Sequence, residues 1–234
     1  FHFTDESYPP ALFRKLTRGL IDSKMGIAWT THMRFEKSLL EDQVWQDAKA
    51  SGCKYLHFGY GSGNERVLKL MDKATTTEIM MKHLKYTAEA GIWNHCMGFF
   101  GFPGETREEA WSSVEFLEQN KDYVHSLGFG TFDLGRHNPV AKHPEKFGVT
   151  AYKNPEWDLA LDYYFTVKQG LSIEEAERVF EEVERNHNPG WDLRLFIREY
   201  IFLYIAQFGL QKLPDLQFRS ARVATVPPSL AGKM

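Results

Sequence analysis

Met97-Gly98-Phe99-Phe100-Gly101-Phe102-Pro103-Gly104-Glu105-Thr106 leads out of an apolar run and into an acidic one. Upstream, Ile92 to Phe100 is apolar and aromatic enough for a buried strand. Downstream, Thr106-Arg107-Glu108-Glu109 is a capping box, in which a threonine hydroxyl and a glutamate three residues later satisfy the first free amides of a helix. The stretch therefore predicts strand, glycine turn, helix. Gly101 and Gly104 keep the turn free of side chains. Its amides, backed by the positive end of a helix dipole, suit an anion or a flat polar ligand laid against the main chain. Taken alone, Gly-Phe-Pro-Gly equally describes a tight connection with no ligand.

Outward from this unit the same pattern repeats. Phe1 to Thr4, Ile27 to Thr31, Tyr55 to Gly59, Ile92 to Phe100 and Phe129 to Leu134 read as strands, their starts spaced by the roughly 30 residues of a βαβ crossover. Between them lie amphipathic segments predicting helices over Pro10 to Ile21, Ser38 to Ala50, Thr77 to Ala90 and Arg107 to Asn120, with Gly52 and Gly91 as stop signals. Strands alternating with helices predict an α/β fold on a parallel sheet. With no dinucleotide fingerprint, part of a barrel fits better than a doubly wound sheet, although periodicity does not separate the two.

Composition bounds the rest. A 234-residue chain of 43% hydrophobic content and net charge -3 is long enough to bury a sizeable core, and it lacks the basic footprint of a bulk nucleic-acid binder. Cys53 and Cys96, each in or beside an apolar run, predict reduced, buried thiols and a cytoplasmic location. The apolar run Leu193 to Leu210 is interrupted by Arg194, Arg198 and Glu199, which predicts a core helix rather than a membrane span. Phe1-His2-Phe3 already reads as the inside of a strand, so the expectation is that the natural start lies upstream. A sheet edge left open there predicts poor solubility.

Ligands of parallel α/β sheets bind beyond the carboxyl ends of the strands. There the sequence places Asp5 and Glu6, then His32 and Arg34, then Gly59-Tyr60-Gly61-Ser62-Gly63, then the Gly101–Glu105 turn, then Asp133, Arg136 and His137. Carboxylates for an ammonium and an arginine for a carboxylate describe a rim that holds a zwitterion. Each residue also has an ordinary reading: Asp5 and Glu6 as helix caps, Arg34 as a partner of Glu36 or Glu41, Ser62 as a turn hydroxyl, Glu105 as a helix-start acid. His32, His95 and His137 show no metal-ligand spacing.

The order of these motifs carries a resemblance. Phe3-Thr4-Asp5-Glu6, Trp29 with Arg34, Gly52-Cys53-Lys54, Phe58-Gly59-Tyr60-Gly61-Ser62-Gly63-Asn64-Glu65-Arg66-Val67-Leu68 with Met71 and Lys73, and Gly101-Phe102-Pro103-Gly104-Glu105-Thr106 resemble the radical S-adenosylmethionine (SAM) enzymes. The likeness is strongest to members with an upstream cobalamin-binding domain, and it covers about Phe1 to Thr150. It implies a partial (β/α)6 barrel lacking its first strand, a [4Fe-4S] cluster that cleaves SAM to a 5′-deoxyadenosyl radical, an electron-donor protein and a small-molecule or other substrate. By position it implies that Asp5 and Glu6 hold the methionine ammonium, Arg34 its carboxylate, Ser62 the ribose, and Gly101, Phe102, Pro103, Gly104 and Glu105 the adenine side.

Two positions depart from that family. Gly61 stands where a glutamate is expected, and the Cys-x3-Cys-x2-Cys cluster loop is absent, so the cluster ligands are expected upstream. The resemblance therefore implies the C-terminal part of an enzyme of radical modification, with methylation or rearrangement among its reactions and cobalamin among its cofactors. The competing expectation is a cluster-free, non-catalytic remnant that binds a nucleotide-like ligand or a protein partner. An aldolase-like barrel fits poorly because Lys54 precedes its strand and Lys73 lies beyond a helix. Residues 151–234 are expected to form a helical extension, with an aromatic-rich helix from Asn154 to Gly170 in which Tyr163, Tyr164 and Phe165 pack, a helix opened by Ser172-Ile173-Glu174-Glu175, and a third from Trp191 to Gly209.

Overall fold

The computed structural model describes residues 1–4, 7–152, 161–186 and 207–209. Five parallel strands, β1 (His2–Phe3), β2 (Trp29–Met33), β3 (Cys53–Gly61), β4 (Trp93–Phe100) and β5 (Ser126–Thr131), lie side by side in the order β1-β2-β3-β4-β5. This order settles what periodicity left open. A doubly wound sheet reverses direction at a switch point, whereas a sheet that adds every strand on the same side keeps its right-handed crossovers on one face and curls toward a barrel.

The crossovers are α1 (Pro10–Ser23), α2 (Asp42–Ala50), the pair α3 (Glu65–Leu70) and α4 (Thr77–Glu89), and α5 (Arg107–Gln119). Phe13, Trp45, Met80, Leu84, Phe116 and Leu117 from these helices pack on Trp29, Met33, Leu56, Phe58, Tyr60 and Cys96 of the strands. Asn94, buried among them, donates to the carbonyls of Leu84 and Tyr123, 2.9 and 2.8 Å away, fastening β4 to its neighbours. The Thr106–Glu109 capping box forms as the sequence predicts, and Asn64 caps α3 by accepting from the amides of Arg66 and Val67.

Beyond β5 the chain builds a small antiparallel sheet from β6 (Leu134–Gly135), β7 (Val149–Tyr152) and β8 (Asp162–Val167), with a short helix α6 (Pro139–Lys142) between the first two. Here the structure corrects a sequence expectation: Tyr163, Tyr164 and Phe165 lie in strand β8, not in a helix. Their burial alternates, Phe165 entering a core with Phe102, Phe132, Leu134 and Val149 while Tyr164 is exposed. Period-two alternation marks a half-buried strand. The small sheet also takes strands from both sides of residue 150.

The last described helix, α7 (Ile173–Asn186), starts at Ser172 as expected, the Ser172 hydroxyl accepting from the Glu175 amide and the Glu175 carboxylate from the Ser172 amide. Its apolar face, Ala176, Val179 and Val183, packs on Phe100, Ala110 and Val114. Nearly all of the predicted Trp191–Gly209 helix lies outside the described residues, as do Asp5, Glu6 and the segment 153–160.

Candidate functional site

Three loops at the carboxyl ends of β2, β3 and β4 form the site. The first carries Arg34, one residue past the Met33↔Phe58 register pair and therefore level with Gly59. Phe35 stacks flat on Phe58 in the helix-side core, with ring centroids 4.5 Å apart. Alternation then turns Arg34 to the concave side of the sheet. Among the described residues, no acceptor pairs with its guanidinium.

The second loop follows β3. Gly61 has φ +78, in the left-handed region, so the glutamate expected from the family pattern would be strained there. The space is also taken: a Cβ at Gly61 would lie 3.0 Å from Lys73 Cε, 3.3 Å from Lys73 Nζ and 3.3 Å from Met71 Sδ. Lys73 Nζ donates to the Gly59 carbonyl at 2.9 Å. Burial, with the positive charge of Arg34 second, pushes its pKa down. Lys73 is thus a rim residue, although sequence reasoning set it beyond a helix. The missed signal was the helix stop: α3 ends with Asp72 in the left-handed region at φ 55, which turns the chain back toward the sheet.

Ser62 is fully buried, and its hydroxyl is within 2.9 Å of the Ser113 hydroxyl on α5 and accepts from the Asn64 amide. It holds the turn to α5, as does the Tyr60 hydroxyl, which donates to the Ser113 carbonyl at 2.6 Å.

The third loop is the Gly101–Glu105 turn, and the anion its amides attract is its own. Glu105 is fully buried, and its Oε2 accepts from the Gly101 amide at 2.6 Å. The Glu105 amide bonds the Phe102 carbonyl, and the Thr106 amide is taken by Glu109. Burial raises the Glu105 pKa to about 7 against the opposing pull of the Gly101 hydrogen bond. Arg66 clamps the outside of this turn by donating to the Gly104 carbonyl and pairing with Glu109. Phe102, Pro103 and Gly104 face a cleft of about 860 Å³ shared with Phe147, Lys146 and Lys168. Asp133, Arg136 and His137 sit at the small sheet, Asp133 held above the usual carboxylate range by partial burial and then by Asp162.

Below the rim, the concave face carries imidazoles that sequence spacing did not bring together. Register aligns His32, His57 and His95, with ring centroids 4.5 Å apart for the first pair and 5.6 Å for the second, and His2 lies edge-on to His32 and His57. Burial first, then mutual repulsion with His95, His32 and His2, takes the His57 pKa to about 2; burial takes that of His95 to about 4. The His57 and His95 rings are neutral at physiological pH. Their common alternation phase along β1 to β4 is the signal that could have found them.

Cys53 and Cys96 face the helices, fully buried, and burial drives the Cys53 thiol up to about 12 and Cys96 higher still. A thiolate is the form that binds iron, so neither fits as a cluster ligand. Among the described residues, no group of three or more histidine, cysteine or acidic side chains is placed to hold a metal. Among the same residues no helix is long and apolar enough to cross a membrane.

Residues 6–117, which span β2 to β4 and most of α5, match the radical SAM superfamily. Over these residues the chain is similar to radical SAM domains. An uncharacterised methyltransferase of Pyrococcus horikoshii is 30% identical over 97 residues, 41% of this chain and 20% of that protein. Bacteriochlorophyllide d C-12(1)-methyltransferase of Chlorobaculum tepidum is 24% identical over 171 residues, 70% of this chain and 35% of its own. The chain thus spans between a fifth and about a third of these relatives. The likeness of fold extends past the matched residues: the cobalamin-dependent SAM radical enzyme OxsB superposes with a TM-score of 0.59 at 14% identity, over 79% of this chain and 34% of its own.

Proposed function

We propose that this chain is the cofactor-holding part of an enzyme that cleaves SAM reductively at a [4Fe-4S] cluster and modifies a substrate by radical chemistry, cobalamin-dependent methylation being the reaction class. The observation that carries this reading is the rim of the matched region: an arginine with no acceptor among the described residues stands level with the glycine-bordered loop after β3, at the carboxyl ends of parallel strands. The names of the two curated relatives, both methyltransferases, support the reaction class.

In this reading Arg34 binds the methionine carboxylate by charge-assisted hydrogen bonds, and Asp5 and Glu6 take the ammonium. Ser62 fixes the ribose side of the rim by tying its turn to Ser113. The Gly101–Glu105 turn, rigidified from within by Glu105, presents Phe102 and Pro103 to the adenine side. SAM and the cluster together supply the radical; the residues here bind, orient and exclude water. The cysteines of this chain do not fit the cluster, so its ligands are assigned outside the chain, and the electron enters from a separate donor protein in the cytoplasm.

Calorimetric titration with S-adenosylhomocysteine tests the reading. The 234-residue chain should bind at one saturable site, and Arg34→Met should weaken binding by about ten- to a hundredfold, the loss of a charged hydrogen-bonding partner of roughly 1.5–3 kcal/mol. Absence of binding at millimolar ligand would refute it. The burial of both cysteines away from the rim favours a second reading, a cluster-free binding module. Release of 5′-deoxyadenosine by the complete gene product under reducing conditions separates the two.

A further inference from the structure

Three strand glycines on the concave face have no backbone reason to be glycine. Gly59 on β3 and Gly128 on β5 flank Met97 of β4 in one register row, and Gly130 lies two residues further along β5. None of the three has a positive φ, unlike Gly61 and Gly101 on the neighbouring loops. Packing does not demand glycine either. A Cβ at Gly130 would meet no atom within 4 Å among the described residues, and one at Gly59 would meet only Lys73 Nζ, at 3.8 Å. A bare glycine inside a strand weakens it, and the close approach of a ligand is a reason to keep one.

Two imidazoles on the row below are aimed into the same space. A Cβ at Gly128 would lie 3.2 Å from His95 Nε2, so that ring leans over the glycine. His95 Nδ1 is 2.9 Å from the Ser126 hydroxyl, whose oxygen also accepts from Trp93 Nε1; this fixes the ring and leaves Nε2 without a partner among the described residues. His57, with its ring centroid 5.6 Å from that of His95, has no hydrogen-bond partner on either nitrogen among the same residues. The two side chains are 9% and 5% exposed for His57 and His95. Polar atoms buried in this state are costly unless a further donor or acceptor reaches them. Burial keeps both rings neutral, so they bring N–H donors and bare nitrogen acceptors but no charge to match an ion. The floor beside them spans two strand spacings, about 10 Å, with the Met97 thioether at its centre, a group that packs well on aromatic rings.

We propose that this patch binds the substrate, and that the substrate presents an uncharged planar heteroaromatic ring, lying over Gly59, Met97, Gly128 and Gly130 with its polar edge on His57 and His95. Calling the owner of the ring the substrate rests on the function proposed above; the ring site itself does not.

The probe is 7-azaindole, a flat bicycle with one N–H donor and one nitrogen acceptor on its edge, set against 2-piperidone, a saturated ring with the same donor and acceptor count. NMR titration of the 234-residue chain should show saturable 7-azaindole binding in the millimolar range and binding of 2-piperidone weaker by about tenfold or more. His57→Phe should weaken 7-azaindole binding by about three- to tenfold, the loss of one neutral hydrogen bond, and Gly130→Val by about tenfold or more, because its side chain fills the floor. Neither variant should lower the melting temperature, since phenylalanine keeps the ring contacts and valine favours a strand. A residue kept for structure alone would lower it on substitution.

S-adenosylhomocysteine titrated into the same samples separates this site from the SAM reading. A chain that binds S-adenosylhomocysteine but not 7-azaindole, or in which the two compete, overturns the ring site alone. A chain that binds 7-azaindole but not S-adenosylhomocysteine overturns the SAM reading and leaves the ring site standing; one that binds neither overturns both. Unchanged 7-azaindole affinity in either folded variant, or equal binding of 2-piperidone, also overturns the ring site. If a variant fails to fold, the ring nitrogens of His57 and His95 in ¹⁵N-histidine-labelled wild-type chain decide: they shift on addition of 7-azaindole if the site exists and stay fixed if it does not.

Discussion

Glu105 shows how one side chain governs both the shape of the rim and its response to pH. With its carboxyl pKa at about 7 in the folded chain against about 4.5 when unfolded, the native state holds a proton that the unfolded state releases between those values. Stability is therefore greatest below about pH 4.5 as far as this group is concerned, falls as pH rises toward 7, and is flat above. Glu105→Gln keeps an oxygen for the Gly101 amide and removes the ionisation. Denaturant melts should show the variant more stable than wild type above pH 7, by on the order of 2 kcal/mol, with the difference vanishing below about pH 4.5. A pH-independent difference would mean that Glu105 is ionised throughout.

The sequence pointed to this acid as a helix-start charge and, through the family resemblance, as a residue of the adenine side, but not as the anion held by its own turn. That it turns inward depends on α7 covering the turn, a contact across 60 residues and more that no local pattern announces. Lys73 was opaque for a similar reason: its role depends on a left-handed Asp72, and aspartate carries no such signal as strongly as glycine does.

At the scale of elements, the closing of the Gly101–Glu105 turn rests on one loop. The Leu171 amide bonds the Glu105 carbonyl at 2.8 Å, and Gly170, at φ +90, lies so close that an added Cβ would sit 2.7 Å from that oxygen and 2.8 Å from Gly104 Cα. Gly170→Ala adds both strain and a backbone clash, and α7 should lift from α5. Hydrogen exchange should show faster amide exchange in α7 and in the 101–106 turn, with a stability loss of about 2–3 kcal/mol, while β1 to β3 keep their protection. Equal loss of protection across the whole sheet would show that α7 is integral to the barrel rather than a cover on it. Helices with side-chain caps, α5 at Thr106 and α7 at Ser172, were legible because the capping box is a local code. Strand β8 was not: Asp162–Val167 is aromatic enough for either period, and of its partners β6 lies before residue 150 and β7 straddles it.

The whole molecule follows from the order of its strands. Sequential addition, β1 through β5, puts the helices on one face and leaves a concave face lined by His2, His32, His57 and His95 below a rim carrying Arg34, Lys73 and the Gly101–Glu105 turn. The βαβ spacing made the sheet readable, and the motif order made the rim loops readable. The meeting of distant side chains across the barrel was not, because it depends on register, and register is set by pairing rather than by composition.

The account stands or falls on where a SAM-like molecule lies. Photolabelling the chain with an azido-adenine analogue of S-adenosylhomocysteine, followed by peptide mapping, reads that position directly. The account predicts label on peptides bearing Phe102 to Glu105 and on the neighbouring β3 turn around Ser62, suppressed by excess S-adenosylhomocysteine. Label confined to the small β6-β8-β7 sheet, or labelling that excess ligand does not suppress, would contradict it.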